Sequence, residues 1–249
     1  SIEWIEDAGQ YFLFKYDAEG TQLFKITHEQ LLDLKETDIG YFNNSVFTHS
    51  DFKVLKEREA IIRSTDLGNA DYADKLAAYM YSTNGGYKAI NPILIRAKGN
   101  LNKLNATEIQ AVRMLDQFFE RASKHAGVTA RVMDTRKMPN AAAFLKAHES
   151  GSLVRYSNFT STSSEKDAFG GHLDIDVVMA IHGVSGVDIS QVSRFTGEKE
   201  VLMSRHTVYK VKSHTIDNGV HHIILDEVTE NIENHDMIIQ LSLDLSHQI

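Results

Sequence analysis

The stretch FTGEKEVLMSR, residues 195–205, sets Glu198 and Glu200 one residue apart, between a glycine turn and an apolar run of strand character. Side chains alternate along a strand with period two, so a strand through this stretch puts both carboxylates on one face and Lys199 on the other. Two like charges on one surface repel unless a cation lies opposite. The pair therefore reads either as a solvated rim or as a site that handles positive charge. Two further segments carry chemistry. Arg131 stands inside the run VTARVMD, where a guanidinium must snorkel outward or pair with an anion. FTSTS, residues 159–163, places hydroxyls along a second run. Each signal alone is weak, because acidic pairs on edge strands and hydroxyls on half-exposed strands are ordinary surface.

Other chemistries fit less well. The chain has no cysteine, which excludes thiol catalysis, disulfides and cysteine-ligated zinc. Of the twelve histidines only His221 and His222 are adjacent, and neighbours on a strand point to opposite faces, so no metal is expected. TNGGYK lacks the spacing of a phosphate loop, no G-x-G-x-x-G follows a strand, and no G-x-S-x-G elbow is present.

These residues need a scaffold, and 249 residues that are 42% hydrophobic can bury a core. With only two prolines and no hinge-like tract, one compact domain over residues 1–249 is expected. A formal charge of -8 provides no general field for phosphates, so nucleic acid is not the expected partner. Apolar runs such as VVMAI are far shorter than the roughly 18 residues a membrane helix needs. Ser1 suits either a trimmed chain or a mature secreted one.

Periodicity predicts a mainly helical lobe over residues 1–126. Helices are expected from Thr27 (capping box with Gln30), over Asp51–Arg63, over Tyr72–Tyr81, and from Thr107 (capping box with Gln110) to a stop at Gly127. Asn84, Gly85 and Gly86 are expected to end the third of these, leaving Tyr87 in a loop before a helix capped by Asn91 with Pro92 in its first turn. Residues 127–249 read instead as strands: VTARVMD, LVRYSNFTSTS, LDIDVVMAIHGV, EVLMSRHTVYKVKS and VHHIILDEV, interrupted by one helix over Pro139–Glu149. The predicted class is α+β, a helical lobe packed on a strand-rich sandwich that carries the site.

The order of the weak signals is informative: an arginine on a first strand, Ser161-Thr162-Ser163 on a second, then a glycine turn and Glu198-Lys199-Glu200. In that order the chain resembles the mono-ADP-ribosyltransferases, above all their bacterial toxin branch and its single-domain members. YMYSTNGGYKAINPILIR and IHGVSGVDISQVSRFTGEKEVL are similar to the branch's segments before the sheet and into the catalytic loop, so the likeness covers roughly residues 70–213.

The resemblance implies cleavage of the nicotinamide-ribose bond of NAD and transfer of ADP-ribose to an arginine of a target protein, without a metal. Glu200 would stabilise the oxocarbenium-like transition state and Glu198 would bind and deprotonate the arginine. Arg131 would clamp the phosphates, with Arg136 as its rival. Ser161 would hold the catalytic strand and Glu200, with Thr162 and Ser163 supporting it. The resemblance also implies NAD contacts from Tyr87, Asn91, the Val132 backbone, Asn158 and Phe169, and places Phe195 in the loop that meets the target. Members commonly carry an arginine after the Ser-Thr-Ser segment, for which Lys166 would substitute. A secreted bacterial toxin, monomeric and acting in the target-cell cytosol, is the expected setting. A NAD glycohydrolase and a non-catalytic NAD-binding module are the alternatives.

Overall fold

A computed structural model describes residues 2–5, 10–17, 20–27, 49–138, 140–165 and 174–243. The chain forms two compact units. The first comprises Ser1–Ile93, Asn100–Ser123 and Ile189–Thr196, and the second Leu94–Gly99, Lys124–Asp188 and Gly197–Ile249.

The first unit opens with three strands where no strand was expected: β1 (Ile2–Ile5), β2 (Gln10–Asp17) and β3 (Gly20–Thr27), paired antiparallel in that order. The signal lay in QYFLFKYD and GTQLFKIT, two runs rich in aromatic and apolar residues whose pairing closes at Asp17 and Gly20. Thr27, expected to cap a helix, ends β3, and the rest of that helix lies outside the described residues.

Four helices follow: α1 (His49–Ser64), α2 (Tyr72–Ser82), α3 (Asn84–Ala97) and α4 (Ala106–Arg121). α2 packs against α4, and Leu76, Tyr79 and Met80 of α2 and Val112, Leu115 and Phe118 of α4 are all buried. The cap of α4 is Asn105 with Glu108, two residues before the expected Thr107 and Gln110. Asparagine accepts the orphan N–H as well as threonine does, so either box satisfied the pattern. The helix stops at Arg121, and the expected stop, Gly127, lies inside a strand.

The loop expected at residues 84–87 is helical. Thr83 closes α2 and caps α3, its hydroxyl donating to the Met80 carbonyl and accepting from the Gly86 N–H. A Cβ at Gly86 would lie 1.8 Å from the Met80 oxygen, so its glycine serves a close approach between two helices rather than a loop. Asn91 and Pro92 therefore sit within α3, where the proline removes one ladder bond without ending the helix.

The second unit holds an eight-stranded sheet in the order β11-β5-β9-β10-β7-β4-β6-β8. Its strands are β4 (His125–Met133), β5 (Leu153–Tyr156), β6 (Thr160–Ser163), β7 (Val177–Asp188), β8 (Glu200–Met203), β9 (Val208–Asp217), β10 (Val220–Glu227) and β11 (Ile238–Leu241). The helix expected over Pro139–Glu149 is shorter, α5 (Ala141–Ala147), and Pro139 is outside the described residues. Two expected strands each break in two. LVRYSNFTSTS divides at Ser157–Phe159, where the Ser157 N–H bonds the Leu241 carbonyl, and EVLMSRHTVYKVKS turns at Ser204–Thr207.

β7 does the work of two strands. It pairs with β4 and β10 along most of its length and with β8 at Val187 and Asp188, which curls the sheet back on itself. Gly186 permits this: a Cβ there would meet the Met203 Sδ at 2.7 Å and Val201 Cγ1 at 2.8 Å. Met133, Met179, Ile181, Val201, Met203, Tyr209, Ile223 and Leu225 are buried in the core so formed. The expected α+β class is borne out. Among the described residues no helix is long and apolar enough to cross a membrane.

Candidate active site

Arg131, the Ser161-Thr162-Ser163 segment and Glu200 come together in the second unit on β4, β6 and β8, three successive strands of the sheet. β6 and β8 pair antiparallel over four residues, with Ser163 opposite Glu200 and Ser161 opposite Leu202. β4 and β6 share only the pair Ala130 and Ser163. A continuing ladder would set Val132 opposite Ser161. Instead the Ser161 carbonyl accepts a hydrogen bond from Arg131 Nη1 at 3.0 Å, so the guanidinium takes the place of a backbone donor where the two strands part.

All of this is dry. Arg131 is 4% exposed, Ser161 2% and Glu200 0%. Val132 is also buried, with its backbone paired to Val178. In such surroundings a charge interacts far more strongly than in water, and any ligand charge placed here meets fixed partners. Burial also pushes the Tyr156 phenol well above its usual range, Tyr209 adding to the shift and Arg131 opposing it.

The three hydroxyls divide the labour differently from expectation. Thr162 Oγ1 donates to the Val201 carbonyl at 2.6 Å, and Ser163 Oγ donates to the Glu198 carbonyl at 2.7 Å. These two residues hold the backbone that carries the glutamates. Ser161 Oγ was expected to do so, but it is buried and makes no hydrogen bond to the described residues. Parity is not the reason, because Ser163 shares the face of Ser161 and still bonds the Glu198 carbonyl. A buried hydroxyl without a protein partner costs about 1–3 kcal/mol.

Glu198 and Glu200 do not share a strand face in the way their spacing suggests. Glu198 closes a single 3-10 turn, Thr196–Glu198, Lys199 follows in the left-handed region at φ 48°, and β8 begins only at Glu200. The alternation rule fails because it needs extended backbone at all three residues. Glu198 is half-buried, whereas Glu200 is fully buried.

Arg136 is placed elsewhere. It lies in the 3-10 turn Thr135–Lys137, 64% exposed, with Nε 3.0 Å from Asp134 Oδ1 and Nη2 3.0 Å from Asp174 Oδ1. Its hydrogen bonds hold the Asp134 carboxyl below the usual carboxylate range. Asn158 is buried, and its side-chain oxygen accepts from the Leu243 N–H at 3.1 Å. Phe169 and Lys166 lie outside the described residues.

In the first unit, Tyr87 and Asn91 are one turn apart on α3, both buried, and Asn91 Nδ2 donates to Tyr81 Oη at 2.9 Å. Phe195, in the loop Ile189–Thr196, is half-buried under the Arg194 guanidinium, whose carbon lies 4.8 Å from the ring centre. The signal for Arg194 in the sequence is its place as a cation beside the loop aromatic.

His148, His214 and His221 are linked by hydrogen bonds. His214 Nε2 lies 2.8 Å from His221 Nδ1 and His214 Nδ1 lies 2.9 Å from the His148 carbonyl. Among the described residues no group of three or more histidine and carboxylate side chains could hold a metal ion.

A model of the ADP-ribosyltransferase exoenzyme family matches residues 52–231, which span β4, β6 and β8 with every residue just described between Tyr87 and Glu200. The chain belongs to the ADP-ribosyltransferase exoenzyme family. It is 30% identical over 152 residues to the NAD(+)-protein-arginine ADP-ribosyltransferase Tre1 of Serratia proteamaculans, and 27% identical over 161 residues to the putative NAD(+)-arginine ADP-ribosyltransferase Mav of Mycobacterium avium. These matches cover 61% and 63% of this chain but only 31% of Tre1 and 18% of Mav, so the chain spans less than a third of the curated relatives it matches. In structure it is similar to the ADP-ribosyltransferase Vis solved with agmatine, with a TM-score of 0.55 at 16% identity over 76% of this chain and 91% of Vis. That likeness is one of fold. The family match includes the strands β4, β6 and β8 that carry Arg131, Ser161 and Glu200.

Proposed function

We propose that this protein is an arginine-specific mono-ADP-ribosyltransferase that cleaves NAD, transfers ADP-ribose to an arginine of a target protein, and hydrolyses NAD as a side reaction. The observation that carries the reading is the dry junction of β4, β6 and β8. There a buried arginine is fixed to the Ser161 carbonyl, and a buried glutamate begins the strand paired with that segment. Family membership and the names of Tre1 and Mav support arginine as the acceptor.

In this reading Arg131 presents a guanidinium whose orientation is set before NAD arrives, suited to phosphate oxygens. Ser161 Oγ supplies a buried hydroxyl toward the bound dinucleotide, and Tyr87, Asn91, the Val132 backbone, Asn158 and Phe169 complete its contacts. As the bond between nicotinamide and ribose lengthens, positive charge develops on the ribose. Glu200 accepts a hydrogen bond from a ribose hydroxyl and stabilises that charge more than the ground state. Nicotinamide leaves with the bonding pair, and the arginine nitrogen attacks the anomeric carbon. Glu198 binds the guanidinium and takes the proton the new bond displaces. The partial exposure of Glu198 on its turn, against the full burial of Glu200, supports assigning the acceptor to Glu198.

Residues 1–249 are read as one ADP-ribosyltransferase domain, because the family match runs through segments of both units. Membership of an exoenzyme family supports secretion from a bacterium, and a monomer acting in the cytosol of a target cell completes the proposed setting.

Agmatine serves as the acceptor probe. Glu200→Ala is expected to lower both transfer to agmatine and NAD hydrolysis by about a hundred- to a thousand-fold. Glu198→Ala is expected to lower transfer far more than hydrolysis. Equal loss of the two activities in Glu198→Ala would count against its role toward the arginine acceptor, a wild type that hydrolyses NAD without transfer would be a NAD glycohydrolase, and unchanged NAD consumption in Glu200→Ala would point to a binding module.

A further inference from the structure

The loop Ile189–Thr196, which runs directly into Glu198, is held inside the first unit by two arginines. Arg58 of α1 spans two of its carbonyls, donating from Nη1 to Ser193 at 2.6 Å and from Nη2 to Gln191 at 2.5 Å. Arg194, from the loop, reaches back to the same helix: Nε donates to Asp51 Oδ1 at 3.0 Å and Nη2 to Ser50 Oγ at 3.1 Å. Its backbone N–H donates to Ser82 Oγ of α2 at 2.7 Å. The Arg194–Asp51 pair is largely removed from water, at 17% and 9% side-chain exposure, and the Tyr79 hydroxyl donates to the Asp51 carbonyl. Ile189, Val192 and Ser193 are fully buried.

Connecting loops normally give their carbonyls to water and move. Here one guanidinium fork fixes two carbonyls, and a second guanidinium is locked by a carboxylate while it covers the Phe195 ring. These bonds lie wholly in the first unit. Arg131, Ser161 and Glu200 belong to the second, where ladder bonds and the Thr162 and Ser163 hydroxyls position their strands. The double clamp acts on the loop that leads into Glu198, not on the ladder bonds of the strands that carry Arg131, Ser161 and Glu200. An acceptor loop that is already rigid spares the incoming group the cost of ordering it.

We propose that Arg58 and the Asp51–Arg194 pair are positioning residues for the arginine acceptor: they hold the Phe195 loop in a preformed shape and so govern transfer rather than NAD cleavage. This rests on the arginine-transferase reading above.

Purified wild type, Arg58→Ala and Arg58→Lys are compared for transfer to agmatine and for NAD hydrolysis, with the KM of each substrate. Arg58→Ala is expected to raise the KM for agmatine about tenfold or more, with NAD hydrolysis and the KM for NAD within about twofold of wild type. Arg58→Lys offers one point donor in place of a fork and is expected to fall between them. If Arg58→Ala does not fold, the same split in Arg58→Lys decides. A variant that loses both activities in parallel, or neither, overturns the clamp while leaving the transferase reading intact. A wild type that hydrolyses NAD and transfers nothing to agmatine overturns the transferase reading, and the clamp with it.

Discussion

Arg131 and Arg136 lie five residues apart and either could bind phosphate, yet they have opposite fates. Arg131 is buried against the Ser161 carbonyl, while Arg136 is exposed between Asp134 and Asp174. A guanidinium already held by two carboxylates has little left for an anion, and this favours Arg131 as the phosphate clamp. The hydroxyls of residues 161 and 162 part in the same way. Ser161→Ala removes a buried oxygen that bonds nothing among the described residues, so it is expected to leave the melting temperature unchanged or slightly raised while activity falls. Thr162→Val breaks the bond to the Val201 carbonyl and is expected to cost about 1–2 kcal/mol. Thermal unfolding of both variants checks this, and equal destabilisation would show Ser161 to be part of the fold rather than of the site.

Between residue and whole chain, the junction of α2 and α3 shows how one element can hide inside another's end. Asn-Gly-Gly reads as a stop, because glycine is the commonest residue just past a helix. Here the glycines open a second helix that must pass close to the first, with Thr83 capping both. Gly86→Ala would drive a methyl carbon into the Met80 carbonyl and is expected to destabilise the protein by several kcal/mol, far beyond the roughly 1 kcal/mol that alanine gains over glycine in an open helix. Chemical denaturation of the variant measures it. A stabilised variant would mean that residues 84–87 form a loop, as the sequence pattern implied. Strand β7 is the counterpart in the sheet: LDIDVVMAIHGV reads as one alternating run, whereas the strand covers Val177–Asp188 and pairs with three neighbours.

At the scale of the molecule, stability should depend on pH through His148. This histidine is fully buried, with Nδ1 2.7 Å from the Phe144 carbonyl and Nε2 2.7 Å from Tyr156 Oη. A carbonyl only accepts, so Nδ1 carries the proton and Nε2 accepts from the tyrosine. Burial pushes its pKa down to about 4, the Phe144 bond opposing the shift and His214 adding to it. The folded state therefore binds its proton less readily than the unfolded chain. The stabilisation is fully present above about pH 6.5 and is lost as pH falls toward 4, roughly 3 kcal/mol in all. Melting temperature followed from pH 7 to 4.5 should fall along this course, and His148→Gln should flatten it. A wild-type profile as flat as the variant's would mean the imidazole is not buried neutral.

How much of this was legible in one dimension depends on the range of the interaction that decided it. The helices α1, α2 and α4 and most strands of the second unit were readable because periodicity and caps act within a few residues. So were the residue types of the site, since an arginine, a hydroxyl triplet and two glutamates carry their chemistry wherever they fold. Strands β1, β2 and β3 carry a signal as well, in their aromatic density, which the helical expectation for this segment missed. Tertiary structure alone decided which residue did what. The left-handed turn at Lys199 separates the two glutamates, the parting of β4 from β6 turns Arg131 onto a carbonyl, and Thr162 rather than Ser161 meets β8. Each outcome depends on where a distant strand or carbonyl lies, and spacing along a chain holds no record of that position until the backbone has folded.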